Sequence, residues 1–233
     1  AAMIFGISMP GCSASRKELK SRTVFAMDTY INVSIQTDDE EIFSEIESAI
    51  READGRLSVT DQESEIFRLN RDKELTVSDS TAQVIGRALE LCAETEGALD
   101  ISIYPIVKLW GFTTGKYVVP DDIEINETLK NVGYKRVSLD GNRVSLDDKM
   151  SIDLGSVGKG YMGDAIAEII KARGADSGMI DLGGNIRTIG RKADGSRWKV
   201  AVRSPDGTGI IGIISSEDES VVTSGGYERY FVD

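Results

Sequence analysis

The order of patterns along these 233 residues predicts an α+β fold, one domain with a mainly antiparallel sheet and flanking helices. Three observations carry that expectation. Amphipathic helical stretches dominate the first half. Short β-prone runs joined by Gly- and Asp-containing turns dominate the last third. No Pro- or Ser-rich linker divides the chain.

"TVFAMDTYINVSIQT" (residues 23–37) is rich in β-branched and aromatic residues and reads as one strand. In "DDEEIFSEIESAIREADG", Ile42, Phe43, Ile46, Ala49, Ile50 and Ala53 recur at helical spacing. Acids fill the first turn, where the macrodipole favours them, and Gly55 marks the stop. "LSVTDQESEIFRLN" is a polar loop running into a short helix. "SDSTAQVIGRALELCAETEG" gives a second amphipathic helix with Val84, Ile85, Ala88, Leu89 and Cys92 on one face. Cys92 therefore reads as a core residue.

"ALDISIYPIVKLWGF" reads as extended and apolar, with Pro105 arguing against a central strand. A charged helix follows at about 120–132. "KRVSLDGNRVSL" is a hairpin around Asp140-Gly141-Asn142. A helix is expected from about 159 to 173, closed by Gly174. "GMIDLGGNIRTIG", "WKVAVRSP", "GIIGIISSE" and "ESVVTSGGYERYF" then supply the late strands.

Composition excludes several chemistries. The net charge is −12, with no basic footprint for a nucleic acid. There is no histidine, which removes Ser-His-Asp and Cys-His catalysis and His-bearing zinc sites from these residues. Cys12 and Cys92 do not make a disulfide framework. Residues 1–11 are apolar and small, and "SMPGC" leads into Cys12. That order reads as a signal-peptide remnant and a bacterial lipobox, with residues 1–21 forming remnant, lipobox and linker, and residues 22–233 the domain. On this reading the protein is extracytoplasmic and reaches the membrane only through a lipid on Cys12.

The stretch "SIDLGSVGKGYMGDAIAEII" (151–170) joins a strand-like run to a glycine-rich segment with one lysine, then a helix. It is neither a P-loop nor a dinucleotide fingerprint. The position five before Gly158 is Asp153, Gly160 follows the lysine, and Gly155, Gly158 and Gly160 have the wrong spacing. Two uses stay open. The glycines, a helix N-terminus and Lys159 could face an anionic ligand. Alternatively the glycines only make a turn. Trp110 and Phe112 could stack on a planar ring, although core packing is the commoner use of aromatics. Asp100 and Asp153 could be acids satisfied by backbone N–H groups. Asp181 with Gly183 and Gly184 could touch a nucleotide or end a strand in a bulge.

"FAMDT", "SEIFRLN", "GALDISIYPIVKLWGF", "DLGSVGKGY", "DLGGNI" and "TSGGYERYF" occur in that order. Together they resemble the ApbE family, the FAD:protein FMN transferases, from about residue 22 to the last residue. The resemblance implies an extracytoplasmic lipoprotein that binds FAD and Mg²⁺. Such an enzyme transfers FMN to a Thr or Ser hydroxyl of a partner flavoprotein, such as a membrane redox-pump subunit, and releases AMP. It implies flavin-nucleotide contacts at Met27, at Ala98, Leu99 and Asp100, at Gly155, Ser156 and Lys159, and at Tyr161. It also implies a metal contact through the Gly158 carbonyl.

The pattern of the family continues with a His-x-x-Asp-Pro segment and a later Asp/Thr pair that completes the metal site. The sequence is therefore expected to be a fragment lacking the C-terminal part, with its catalytic residues unassigned. Thr60 stands where many members carry Tyr, a position bearing on the balance between transfer and hydrolysis. Two alternatives follow: an FAD pyrophosphatase yielding FMN and AMP, and a flavin-binding lipoprotein without catalysis.

Overall fold

Strand β1 (Leu19–Ala26) pairs antiparallel with β2 (Thr29–Gln36), and the last pair is Ala26 with Thr29. The single strand expected over 23–37 is thus a hairpin. This comes from a computed structural model that describes residues 17–225. Met27 and Asp28 form the two-residue turn, both in left-handed backbone, with φ of 52 and 56. Two positive φ values in a two-residue loop match the twist of the flanking strands. Neither residue is glycine, so each is held there at a cost of order 1–3 kcal/mol that neighbouring contacts must offset.

Helix α1 (Glu41–Leu57) runs through Gly55, two residues past the expected stop, and ends at Ser58. Its buried face is Ile42, Phe43, Ile46, Ile50 and Ala53, as the periodicity predicts. Helix α2 (Glu65–Asp72) is capped by the Ser64 hydroxyl, which accepts from the Phe67 N–H at 2.9 Å. A short strand, β3 (Glu74–Thr76), leads to α3 (Asp79–Glu94), which buries Val84, Ile85, Ala88 and Cys92.

The segment expected to be extended is helical. A 3₁₀ turn at Ile101–Ile103 runs into α4 (Tyr104–Leu109), with Pro105 in the first turn. Pro lacks the N–H that a helix start leaves unpaired, so the residue that argues against a strand favours a helix start. Asp100 caps the turn, accepting from the Ser102 N–H at 2.8 Å. Helix α5 (Asp122–Leu129) carries a capping box from Asp121 and Glu124. Strands β4 (Ser138–Asp140) and β5 (Arg143–Ser145) form the expected hairpin, with β3 on the other side of β5.

Helix α6 (Gly155–Ala172) begins four residues earlier than expected. The glycine-rich segment is its first turn and not a loop. The preceding Ser151–Leu154 is not a strand. Strands β6 (Gly178–Leu182), β7 (Asn185–Ile189), β8 (Trp198–Arg203), β9 (Ile210–Ser216) and β10 (Ser220–Val222) follow.

A five-stranded sheet has the order β1-β2-β6-β7-β10, and β8 and β9 form a separate ribbon. Among the described residues every strand pairing is antiparallel. The sheet's inner face packs on α1 and α6 through Ile31, Val33, Ile46, Ile50, Ile166 and Ile180. A second core gathers α2, α3, the small sheet and the 150–154 segment around Ile66, Leu69, Ile85, Ile152 and Leu154. Each fully buried Ile or Leu contributes about 1.5–3 kcal/mol. Leu57, at the end of α1, touches both cores.

Candidate active site

Where the two cores meet, the β1–β2 turn, the end of α1, the loop after α4 and the start of α6 enclose a cleft of about 590 Å³. That volume suits a small-molecule or cofactor site. Met27 and Asp28 come from the turn, and Asp54 and Leu57 from α1. Ser58, Val59 and Thr60 come from the following loop, and Asp153, Leu154, Gly155, Gly158 and Lys159 from the start of α6. Val107, Phe112 and Thr113 close the remaining side.

Each wall has a local cause. The Met27 N–H donates to the Asp54 carboxylate at 3.0 Å, tying the hairpin turn to α1. The 58–61 loop is held by Ser58, whose hydroxyl accepts from the N–H groups of Thr60 at 3.2 Å and Asp61 at 3.0 Å. The Ser64 hydroxyl donates back to the Ser58 carbonyl. The Tyr104 hydroxyl supports the same loop through the Val59 carbonyl at 3.3 Å. Burial pushes that phenol above its usual pKa.

The start of α6 is held from behind by the "SEIFRLN" motif. Asn70 Nδ2 donates to the Ile152 carbonyl at 2.8 Å, and its Oδ1 accepts from the Ile152 N–H at 2.7 Å. Lys73 Nζ donates to the Met150 carbonyl at 2.7 Å, and burial lowers its pKa.

The structure brings Met27, Thr60, Gly155, Gly158 and Lys159 to one cleft. Met27 lies over Gly158, where an added Cβ would stand 3.3 Å from the Met27 Cε. Ala98, Leu99, Asp100, Ser156 and Tyr161 are placed off the cleft wall. Ala98 is exposed in the turn after α3. Leu99 and Tyr161 pack against the second core. Asp100 is a satisfied acid, accepting from Ser102 and from the Tyr134 N–H at 3.0 Å. Ser156 is exposed in the first turn of α6.

The open helix terminus expected near Lys159 is also revised. The Gly155 N–H donates to the Asp153 carboxylate at 2.7 Å, and the Val157 and Gly158 N–H groups donate to the Leu154 carbonyl. Most first-turn donors are thus taken by the chain itself.

Sequence reasoning passed over Asp28, Asp54, Ser58 and Thr113. Asp54 sits on a helix whose periodicity says nothing about which polar residue faces a ligand. Phe112, open in the sequence to ring stacking or to the commoner core packing, is 49% exposed and lines the cleft. Asp181 ends no bulge. Its carboxylate accepts from the Gly184 N–H at 2.9 Å and closes the two-residue β6–β7 turn.

Three carboxylates, Asp28, Asp54 and Asp153, line the cleft with one lysine. An anionic ligand there would need additional positive charge. No group of three Asp, Glu or Cys side chains among the described residues is placed to hold a metal ion. Gly158 lies inside α6, so the helical pattern commits its carbonyl to the following turn and leaves one lone pair for a cation.

A model of the ApbE family matches residues 27–233. The chain belongs to the ApbE family. An FAD:protein FMN transferase of Vibrio cholerae serotype O1 is 32% identical over 210 residues, covering 87% of this chain and 63% of that relative. The chain thus spans less than two thirds of that relative. The crystal structure of an ApbE protein from Thermotoga maritima superposes with a TM-score of 0.87 at 30% identity, over 93% of this chain and 73% of that one. The flavin transferase ApbE of Vibrio cholerae gives 0.82 at 30% identity, over 93% and 74%. The α+β architecture described above is therefore the ApbE fold. Its "FAMDT" and "DLGSVGKGY" motifs meet across the cleft.

Proposed function

We propose that the chain is the flavin-nucleotide-binding part of an FAD:protein FMN transferase. The observation that carries the reading is the convergence of Met27, Gly158 and Lys159 on one ligand-sized cleft in a chain of the ApbE family. In this reading a Thr or Ser hydroxyl of a partner flavoprotein attacks the phosphorus of the FMN half of FAD. A new O–P bond forms, the bridging P–O bond breaks, the hydroxyl loses its proton, and AMP leaves. The half-buried Met27 side chain offers a polarizable apolar surface to a ring. The missing side chain at Gly158 lets Met27 pack closely on the start of α6, and Lys159 supplies a positive charge at the cleft.

Mg²⁺ belongs to the same reading. It would offset the pyrophosphate charge in an acidic cleft, taking oxygen donors such as the Gly158 carbonyl. The described residues do not complete such a donor set by themselves. The acceptor is a flavoprotein of the kind found as a membrane redox-pump subunit. Anchoring outside the cytoplasmic membrane through Cys12 completes the proposal. Cys12 and the preceding residues lie outside the described residues.

The reading is tested by incubating the protein with FAD, Mg²⁺ and a flavin-acceptor protein. Released AMP and acceptor fluorescence after denaturing electrophoresis are then measured. Stoichiometric AMP and covalently fluorescent acceptor support transfer. AMP without labelled acceptor points to FAD hydrolysis, a reading favoured by the small, exposed Thr60 at the cleft edge. Bound FAD with neither product assigns a binding lipoprotein.

A further inference from the structure

We propose that Asp54 is a positioning residue for the flavin site, acting through the backbone of Met27. The inference rests on the functional reading above. It starts from the strained turn. Met27 and Asp28 both hold positive φ in a loop whose only cross-strand neighbours are Ala26 and Thr29. A two-residue hairpin leaves the N–H of its first loop residue without a partner in the ladder, and such a group needs one. Asp54 supplies it at 3.0 Å, from 27 positions along the chain. A bond to a carboxylate is stronger than one to a neutral acceptor.

The placement of Asp54 makes the bond consequential. It stands in the last turns of α1, between buried Ala53 and Leu57, which joins the two cores. The turn is thus pinned to a rigid element. The pinned residue is the one whose side chain lies against Gly158. Asp54 also lines the cleft and a second recess of about 250 Å³ that shares Met27 and Asp28 with it. Its carboxylate therefore fixes how far Met27 stands from α6, and with it the width of the cleft.

The test compares Asp54→Ala and the isosteric Asp54→Asn in the full chain. FAD affinity by fluorescence titration and amide hydrogen exchange at Met27 are both read. Asp54→Ala should weaken FAD binding by about ten-fold, as expected for loss of a hydrogen bond to a charged group, and speed exchange at Met27. Asp54→Asn keeps an acceptor oxygen and should restore most of both. If Asp54→Ala does not fold, near-wild-type affinity in Asp54→Asn still supports the role, and a ten-fold loss there overturns it. Unchanged FAD affinity in Asp54→Ala overturns the proposal, as does an Asn variant as weak as the Ala variant, which would mean that the charge acts directly on the ligand. A wild-type chain that binds no FAD overturns the functional reading and this role together. Loss confined to the variants bears on Asp54 alone.

Discussion

Asn70 holds Ile152 by both backbone groups, its amide donating to the carbonyl at 2.8 Å and accepting from the N–H at 2.7 Å. One side chain thus serves as a one-residue strand partner for the segment that delivers α6 to the cleft. It joins the second core to the site from 82 positions away.

Asn70→Ala leaves both Ile152 groups unpaired in a part-buried setting. A loss of about 1–3 kcal/mol is expected, the desolvation cost of such groups. Urea denaturation measures it. Asn70→Asp sets a carboxylate oxygen against the Ile152 carbonyl, acceptor to acceptor, so it should be no more stable than the Ala variant. Equal midpoints for wild type and Asn70→Ala would show that the clasp contributes nothing.

Gly158→Val should weaken FAD binding by more than ten-fold, about 1.4 kcal/mol or more. The added Cβ would stand 3.3 Å from the Met27 Cε, and the branched side chain requires more room still. Far-UV circular dichroism should stay native. At Gly160, two residues further along α6, an added Cβ would meet nothing within 4 Å. Gly160→Ala should therefore raise stability by up to about 1 kcal/mol through helix propensity. If Gly158→Val binds FAD like wild type, the start of α6 is a structural turn only.

Gly183→Ala should destabilise the protein by about 2 kcal/mol or more, through strain and a clash. Gly183 has φ of 66, and an added Cβ would lie 2.1 Å from the Thr29 Oγ1. This contact presses the β6–β7 turn against the strand that follows the Met27 turn. A thermal midpoint within error of wild type would contradict it.

Thr60 is exposed at the cleft edge, in the loop held by Ser58. A Tyr there could cover the pyrophosphate and exclude water. Wild type should show Mg²⁺-dependent AMP release from FAD without acceptor, and Thr60→Tyr should shift the ratio toward acceptor labelling. No AMP before acceptor is added, with no change in Thr60→Tyr, would remove the hydrolytic reading.

Arg173, at the end of α6, pairs with Asp39 at 2.6 Å and lies near Glu41 and Glu45 of α1. Burial pushes the Asp39 carboxyl up, but the Arg173 hydrogen bond and charge, with backbone N–H groups, bring it net below its usual 3.8. A depressed carboxylate stabilises the fold above its unfolded pKa. That contribution should persist above about pH 3.8 and disappear as pH falls through the lower folded value. Arg173→Gln should flatten this part of the stability profile. An unchanged profile would mean that the pair is screened by solvent.

The amino-acid sequence alone determined the α+β class, the buried faces of α1 and α3, the burial of Cys92 and the hairpin at 138–145. These are local properties, written in periodicity and turn chemistry within a few residues. Its six ordered motifs also pointed to the ApbE family. Tertiary structure decided the rest. Met27-Asp28 carries no turn signal, because what stabilises its left-handed backbone is Asp54, 27 positions away. The run 101–109 is equally apolar as strand or helix, and the Asp100 cap and Pro105 resolve it only once the chain has folded around Tyr134. The start of α6 stayed open between an anion cradle and a plain turn because sequence spacing cannot show that Asp153 turns back onto the Gly155 N–H. Phe112 and Asp54 reached the cleft for the same reason. Periodicity separates buried from exposed, but only packing between two cores determines which exposed positions face each other.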